Sequence, residues 1–228
     1  MISTRVGDHS FLLDNLGPSS IVVDLGLNSG EWALAMIGKF GCSVFGVEPV
    51  PALFDELPDH ERLQARHCAV ASQDGPATLF LNDRLDATLR RSIAEVGVSS
   101  VEVPARTLPS LLQDFELAHV DLLKADIEGA EVPLFLDTPD DVLLRMRQIT
   151  VEFHDWLDPS LARGVREGMR RLEGLGFQML RFSRTNGDVL FVRPPLGITM
   201  TWQVAGEKYG RGIARIARRS LFRISGRQ

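Results

Sequence analysis

Between Asp121 and Glu131 the chain reads DLLKADIEGAE, an apolar run that turns abruptly acidic. Asp126, Glu128 and Glu131 surround one glycine, Gly129, and Lys124 stands two residues before the first acid. A carboxylate within hydrogen-bond reach of a hydroxyl can accept its proton, and a neighbouring lysine can orient an oxygen or hold a carboxylate ionised. Further on, VEFHDW adds Glu152 and His154. Two residues apart on a strand, these side chains share a face, and imidazole is the side chain best suited to take a proton near neutral pH. Asp126, Glu128, Glu152, His154 and Lys124 are therefore the candidate catalytic residues. Glu131 has a competing explanation, since an acid in the first turn of a helix is favoured by the macrodipole. His9, His60, His67 and His119 have weaker claims. Asp126, Glu128, Glu152 and His154 could also hold a hard cation such as Mg²⁺. Nothing in their spacing requires one, so no metal is expected and turnover should survive chelation.

A second constellation is VVDLGLNSGEW, in which Asp24, Gly26 and Gly30 lead from an apolar run straight into a helical pattern. Glycine permits a tight turn and close approach of a ligand to the backbone. Asn28 and Ser29 interrupt any G-x-G-x-x-G pattern, so a pyrophosphate loop is poorly supported. Asp24 suits a cationic or amino-bearing ligand better than a phosphate. Glu48 closes the next apolar run, and an acid about 20 residues beyond such a loop is placed to accept both hydroxyls of a ribose. Asp24, Gly26, Asn28, Gly30 and Glu48 are the candidate cofactor-binding residues.

The elements that must position these groups alternate. SIVVDLG, SVFGVEP, ARHCAVAS, HVDLLKAD and RQITVEFHD read as strands, being short apolar runs rich in β-branched residues. EWALAMIGKFG, PALFDELPD, LPSLLQDFELA and PSLARGVREGMRRLEGLGF read as helices, with apolar residues at helical spacing and Gly or Pro at their ends. FQMLRFS and DVLFVRP flank RTNG, an Asn-Gly hairpin signal. Residues 75–106 break the alternation: PATLFLN and SSVEVPA look like strands framing a polar, helical DATLRRSIAEVG. The pattern predicts a doubly wound α/β fold, a mainly parallel sheet closed by an antiparallel hairpin and carrying a small β insertion. Ligands of such sheets sit outside the carboxyl ends of the strands. Asp24, Glu48, Asp126 with Glu128, and Glu152 with His154 all fall at those ends.

Bulk properties narrow the classes. The 228 residues are 44% hydrophobic and 24% charged, which suits one domain, here 1–195. The net charge of −5 argues against nucleic-acid binding by bulk electrostatics. Residues 205–228 alone carry +6, which leaves the preceding chain at −11. This basic stretch, 196–228, has an amphipathic helical pattern that can lie on an anionic membrane surface or pack on the acidic body, within a chain or across a homodimer. Two cysteines make no disulfide framework. No apolar run approaches the roughly 18 residues of a membrane span, and the N-terminus lacks signal-peptide character, so a cytoplasmic location is expected.

The loop with Glu48 resembles the nucleoside-binding half of class I S-adenosylmethionine-dependent methyltransferases. VVDLGLNSGEW, LLKADIEGAE and ITVEFH together are similar to the FkbM family, through a D-x-G-x-N-x-G loop and an L-L-K-x-D-x-E-G-x-E block, over roughly Ser20 to Pro194. The second block is the more specific. Leu27 stands where the family usually has a small residue, which predicts a slightly reshaped loop. The resemblance implies a seven-stranded Rossmann-like sheet. It also implies S-adenosyl-L-methionine as cofactor and O-methylation of a hydroxyl on a small-molecule or glycan acceptor (a sugar, glycolipid or polyketide-like metabolite). A nicotinamide-dependent oxidoreductase would need the missing dinucleotide loop. A cofactor-binding methyltransferase fold without catalysis would not need the acidic edge.

Overall fold

A computed structural model of the chain describes residues 3–13, 16–81, 87–89 and 99–193; the basic tail lies outside them. In chain order the elements are β1 (Ser3–Val6), β2 (His9–Leu12), β3 (Ile21–Leu25), α1 (Glu31–Phe40), β4 (Ser43–Glu48), α2 (Pro51–Asp55) and β5 (Leu63–His67). Then follow β6 (Ala69–Val70), β7 (Gly75–Leu81), β8 (Ala87–Thr88), β9 (Ser99–Arg106), α3 (Leu108–Asp114) and β10 (Val120–Ala125). The chain continues through α4 (Glu131–Asp137), α5 (Asp140–Leu143), β11 (Met146–Val151), α6 (Ala162–Gly174), β12 (Gln178–Arg181) and β13 (Val189–Val192).

The main sheet has seven strands in the order β12-β13-β11-β10-β3-β4-β5. The five strands from β11 to β5 pair in parallel and the β12–β13 hairpin joins antiparallel. Because side chains alternate across a strand, each central strand feeds two cores. Val23, Leu25, Leu123, Ala125, Ile149 and Val151 face a cluster with α3, α4, α5 and α6. Val22, Val44, Leu122 and Leu190 face α1, through Trp32, Ala33 and Met36, together with Phe11 and Leu12 of β2.

The β1–β2 hairpin has no counterpart in the sequence reading, where the N-terminus only lacked signal-peptide character. It covers the sheet face beside α1 and is pinned by polar contacts. Gln148 Oε1 accepts from Leu12 N at 2.8 Å and its amide donates back to Leu12 O at 3.2 Å. The Asp188 carboxylate accepts from Ser10 N and Ser10 Oγ at 3.0 and 2.6 Å. Full burial of Phe11 and Leu12 adds about 1.5–3 kcal/mol each. A four-residue strand with its polar partners far away in sequence offers little periodicity to read.

The insertion forms a second sheet, β6-β9-β7-β8. The single strand expected over Ala65–Ser72 divides at Cys68, β5 staying in the main sheet and β6 joining β9 in the small one. Ala87–Thr88, expected to be helical, pair with β7 as strand β8; residues 86 and 90–97 of that expectation lie outside the described set. Among the described residues no helix is long and apolar enough to cross a membrane.

Candidate active site

Parallel pairing aligns the carboxyl ends of β3, β4, β10 and β11, with Asp24 opposite Lys124 and Lys124 opposite Thr150. The loops leaving these ends stay paired with one another. Asp126 N donates to Leu25 O, Glu152 N to Ala125 O, and Gly26 N to Val47 O. A Cβ on Gly26 would lie 2.1 Å from the Asp126 carbonyl oxygen, and φ there is +98°. Only glycine lets the two loops approach this closely.

A cleft opens at this edge. Gly26, Asn28 and Glu48 line it together with Asp126, Ile127 and Glu128. Leu53, Leu79 and Leu89 give it an apolar side, so the insertion sheet forms a wall of the site. Glu48 is buried; its two oxygens accept from Asn28 N at 2.7 Å and Val50 N at 2.9 Å. Burial pushes its carboxyl pKa up, against the pull of these two N–H groups. Each oxygen keeps a second lone pair for a ligand.

Asp24 and Gly30, expected to touch a cofactor, do not line the cleft. Asp24 is fully buried beneath the loop, where its Oδ1 accepts from Lys124 Nζ at 2.8 Å while Oδ2 has no hydrogen-bond partner among the described residues. Gly30 caps α1 with φ 78°. Lys124, expected to meet a substrate, is only 4% exposed. Its ammonium also donates to the Gly26 carbonyl at 2.8 Å and lies over the Trp32 ring. Burial opposes its charge, but Asp24 and Asp126 outweigh that and raise its pKa. Lys124 is thus a tie between strand β10 and the β3 loop. Leu27, the departure from the family pattern, is buried and packs where Gly46 leaves room: a Cβ on Gly46 would lie 2.7 Å from Leu27 Cγ.

Around Asp126 the structure brings together Glu128, Glu152 and His154, and adds His9. Strand β11 stops at Val151, so Glu152 and His154 project from the following loop and not from one strand face. They reach Asp126 from different sides. His154 Nε2 is 3.7 Å from Asp126 Oδ1 and 3.3 Å from Glu128 Oε2. His9 Nε2 is 3.4 Å from Asp126 Oδ2, and ligand atoms of His9, Asp126 and Glu152 fall within 4.8 Å of one another. The buried His9 arrives on the unpredicted hairpin; an isolated histidine near the N-terminus carried no signal of this placement.

Glu131 is more than a first-turn acid. Its oxygens accept from Ile127 N at 2.9 Å and Gly129 N at 3.0 Å, and Oε1 lies 3.0 Å from His154 Nδ1. Burial opposes charge on His154, yet the bond to Glu131 and the charges of Glu131, Glu128 and Asp126 outweigh it and raise its pKa to about 9. The raised pKa favours the protonated imidazole and weakens His154 as a base in the free protein. Burial likewise opposes charge on Asp126, but the bond to His9 and the charges of Lys124, His9 and His154 hold it below the usual carboxylate range. Burial and the nearby Asp126 push Glu152 up to about 7. Of the other histidines, His60 Nδ1 accepts from Arg62 N and His67 approaches Pro49 O, both away from this cluster.

Comparison with known proteins agrees with this geometry. Residues 24–179 match the Methyltransferase FkbM domain. The methyltransferase sdnD of Sordaria araneosa is 28% identical, over 76% of this chain and 80% of its own length. The 31-O-demethyl-FK506 methyltransferase FkbM of Streptomyces tacrolimicus is 27% identical, over 72% and 75%. A crystal structure of methyltransferase FkbM from Methylobacillus flagellatus KT aligns with a TM-score of 0.49 at 17% identity, over 79% of this chain and 45% of that one. The matched span contains the loop, Glu48, the acidic block and the β11 edge, and the chain belongs to the FkbM family of methyltransferases.

Proposed function

We propose that this methyltransferase is S-adenosylmethionine-dependent and methylates a hydroxyl of a sugar, glycolipid or polyketide-like metabolite. The observation that carries the reading is one cleft lined by Gly26, Asn28 and Glu48 together with Asp126 and Glu128. S-adenosylmethionine supplies an electrophilic methyl group on a sulfonium. The donor set fits it: Glu48 has lone pairs for a ribose diol, Gly26 and Asn28 present backbone at close range, and Leu53, Leu79 and Leu89 offer an apolar wall for a base. Asp24 and Lys124 hold the loop from behind.

Methyl transfer is an in-line displacement, so the protein mainly aligns the acceptor oxygen and removes its proton. Asp126, Glu128 and His154 would hold that oxygen. Glu152 would take the proton, because no hydrogen-bond donor among the described residues occupies its carboxylate, and donors weaken a base. The name of the Streptomyces relative, a 31-O-demethyl-FK506 methyltransferase, is that of an O-methylating enzyme and supports an oxygen acceptor. Calorimetric titration tests the reading. S-adenosylhomocysteine should bind in the micromolar range and NADH should not; tight NADH binding with no response to S-adenosylhomocysteine would overturn it.

A further inference from the structure

We infer that the cleft carries a divalent-cation site, with Asp126 Oδ1, Glu128 Oε2 and His154 Nε2 as its ligands. It rests on the methyl-transfer reading and reverses the expectation from spacing alone that no metal is used. The three ligand atoms lie within 4.8 Å of one another, as groups bound to one metal at about 2.0–2.2 Å must.

Three independent features prepare these atoms. First, His154 is 3% exposed, and the atom from which a cation would displace a proton is Nε2. It points between two carboxylates, at 3.3 and 3.7 Å. Its other nitrogen is fixed by Glu131 at 3.0 Å. A histidine whose Nδ1–H goes to a carboxylate while Nε2 faces ligand oxygens has the arrangement that orients metal-bound imidazoles. Second, Asp126 is oriented in the same way, with Oδ2 held by His9 at 3.4 Å and Oδ1 left toward His154. Third, Glu128 adopts φ 50°, a left-handed conformation uncommon for a side-chain-bearing residue. Thr88 Oγ1 secures it by donating to the Glu128 carbonyl at 2.7 Å. Backbone strain of this kind persists where surrounding contacts impose it.

A site of two carboxylates and one imidazole suits a Mg²⁺- or Mn²⁺-like ion with coordination positions left for oxygen. Asp126 and Glu128 line the cleft that also contains Glu48, so such an ion sits in the same cleft as the cofactor-binding residues. The acceptor hydroxyl binds it through oxygen, which eases loss of its proton. That proton passes to Glu152, whose carboxylate lies within 4.8 Å of a ligand atom of Asp126. The new carbon–oxygen bond forms as the methyl–sulfur bond breaks, the electron pair stays on sulfur, and the ion keeps its oxidation state.

Mn²⁺ is the probe. Electron paramagnetic resonance of the full chain titrated with Mn²⁺ should show one bound ion per chain, displaced by excess Mg²⁺. Asp126→Asn and Glu128→Gln should each weaken Mn²⁺ binding tenfold or more, while Glu152→Gln keeps it. Glu128 is the more exposed ligand, so its variant guards against misfolding in the first, and S-adenosylhomocysteine affinity reports an intact cofactor site throughout. EDTA should abolish methyl transfer, with Mg²⁺ or Mn²⁺ restoring it. Full turnover in EDTA, or Mn²⁺ binding indifferent to both ligand variants, would overturn the cation site and leave the methyltransferase reading standing. Loss of S-adenosylhomocysteine binding in the wild type would sink that reading instead.

Discussion

Glu131 Oε1 and His154 Nδ1 lie 3.0 Å apart, on residues 1% and 3% exposed, and the same carboxylate accepts two backbone N–H groups of the loop that carries Glu128. One side chain therefore shapes the acidic loop and aims the imidazole. Glutamine can keep one acceptor but cannot satisfy all three donors. Glu131→Gln should lower stability by about 1–3 kcal/mol, the cost of stranding a buried donor. It should also lower kcat roughly 10–100-fold, the usual effect of removing a partner that orients a functional histidine. Thermal unfolding and turnover measure the two effects separately. A variant with wild-type kcat and only a lowered Tm would reduce Glu131 to the first-turn acid that the sequence suggested.

In the cleft, Glu48 holds Asn28 N and Val50 N while facing the cavity. Glu48→Ala frees both N–H groups and removes the acceptor for a ribose. The Kd for S-adenosylhomocysteine should rise by about 1–3 kcal/mol, roughly five- to 150-fold. Isothermal titration calorimetry reads this directly, and an unchanged Kd would remove Glu48 from the cofactor site.

The buried Lys124–Asp24 pair makes a different prediction, because it acts through stability. Lys124→Met leaves Asp24 fully buried without its cation, and breaking such a pair costs about 3–5 kcal/mol. Adding Asp24→Asn removes the stranded charge, so the double variant should be more stable than Lys124→Met alone. A double-mutant cycle in denaturant measures the coupling. Additive effects would show that the two side chains do not depend on each other.

Much of this site was legible because the strands that carry it announce themselves. Asp24, Glu48, Asp126 and His154 each follow a short β-branched run, and a parallel sheet brings such ends to one edge. A mainly parallel sheet closed by an antiparallel hairpin followed from the same alternation, whereas the order of its strands came from the structure. What escaped was whatever depends on contacts distant in sequence. His9 reaches Asp126 across 117 residues, on a hairpin too short to show a period. Lys124 reads as a catalytic neighbour of Asp126, but its strand register points it at Asp24 and the Gly26 carbonyl. Glu152 and His154 read as one strand face, yet β11 ends before both. Residue types marked the candidate edge, whereas the contacts within it depend on the loop conformations.

In the proposed mechanism Glu152 is the group that takes the acceptor's proton. Its backbone is fixed by the N–H bond to Ala125 O at 3.1 Å, while its carboxylate stays within 4.8 Å of Asp126 and His9 ligand atoms without a donor among the described residues. Asp126 is bonded by His9, and His154 is bonded by Glu131; each has already committed an atom that Glu152 has not. A positioned base contributes roughly 10²–10⁴ in rate. Glu152→Gln keeps the shape and removes the basicity, so kcat should fall by about that factor while the Kd for S-adenosylhomocysteine and the Tm stay near wild type. Single-turnover methyl transfer with the acceptor saturating isolates the step from binding. Wild-type single-turnover rates in Glu152→Gln would return the proton to another group of the cluster, and loss confined to KM would make Glu152 a contact for the acceptor instead of its base.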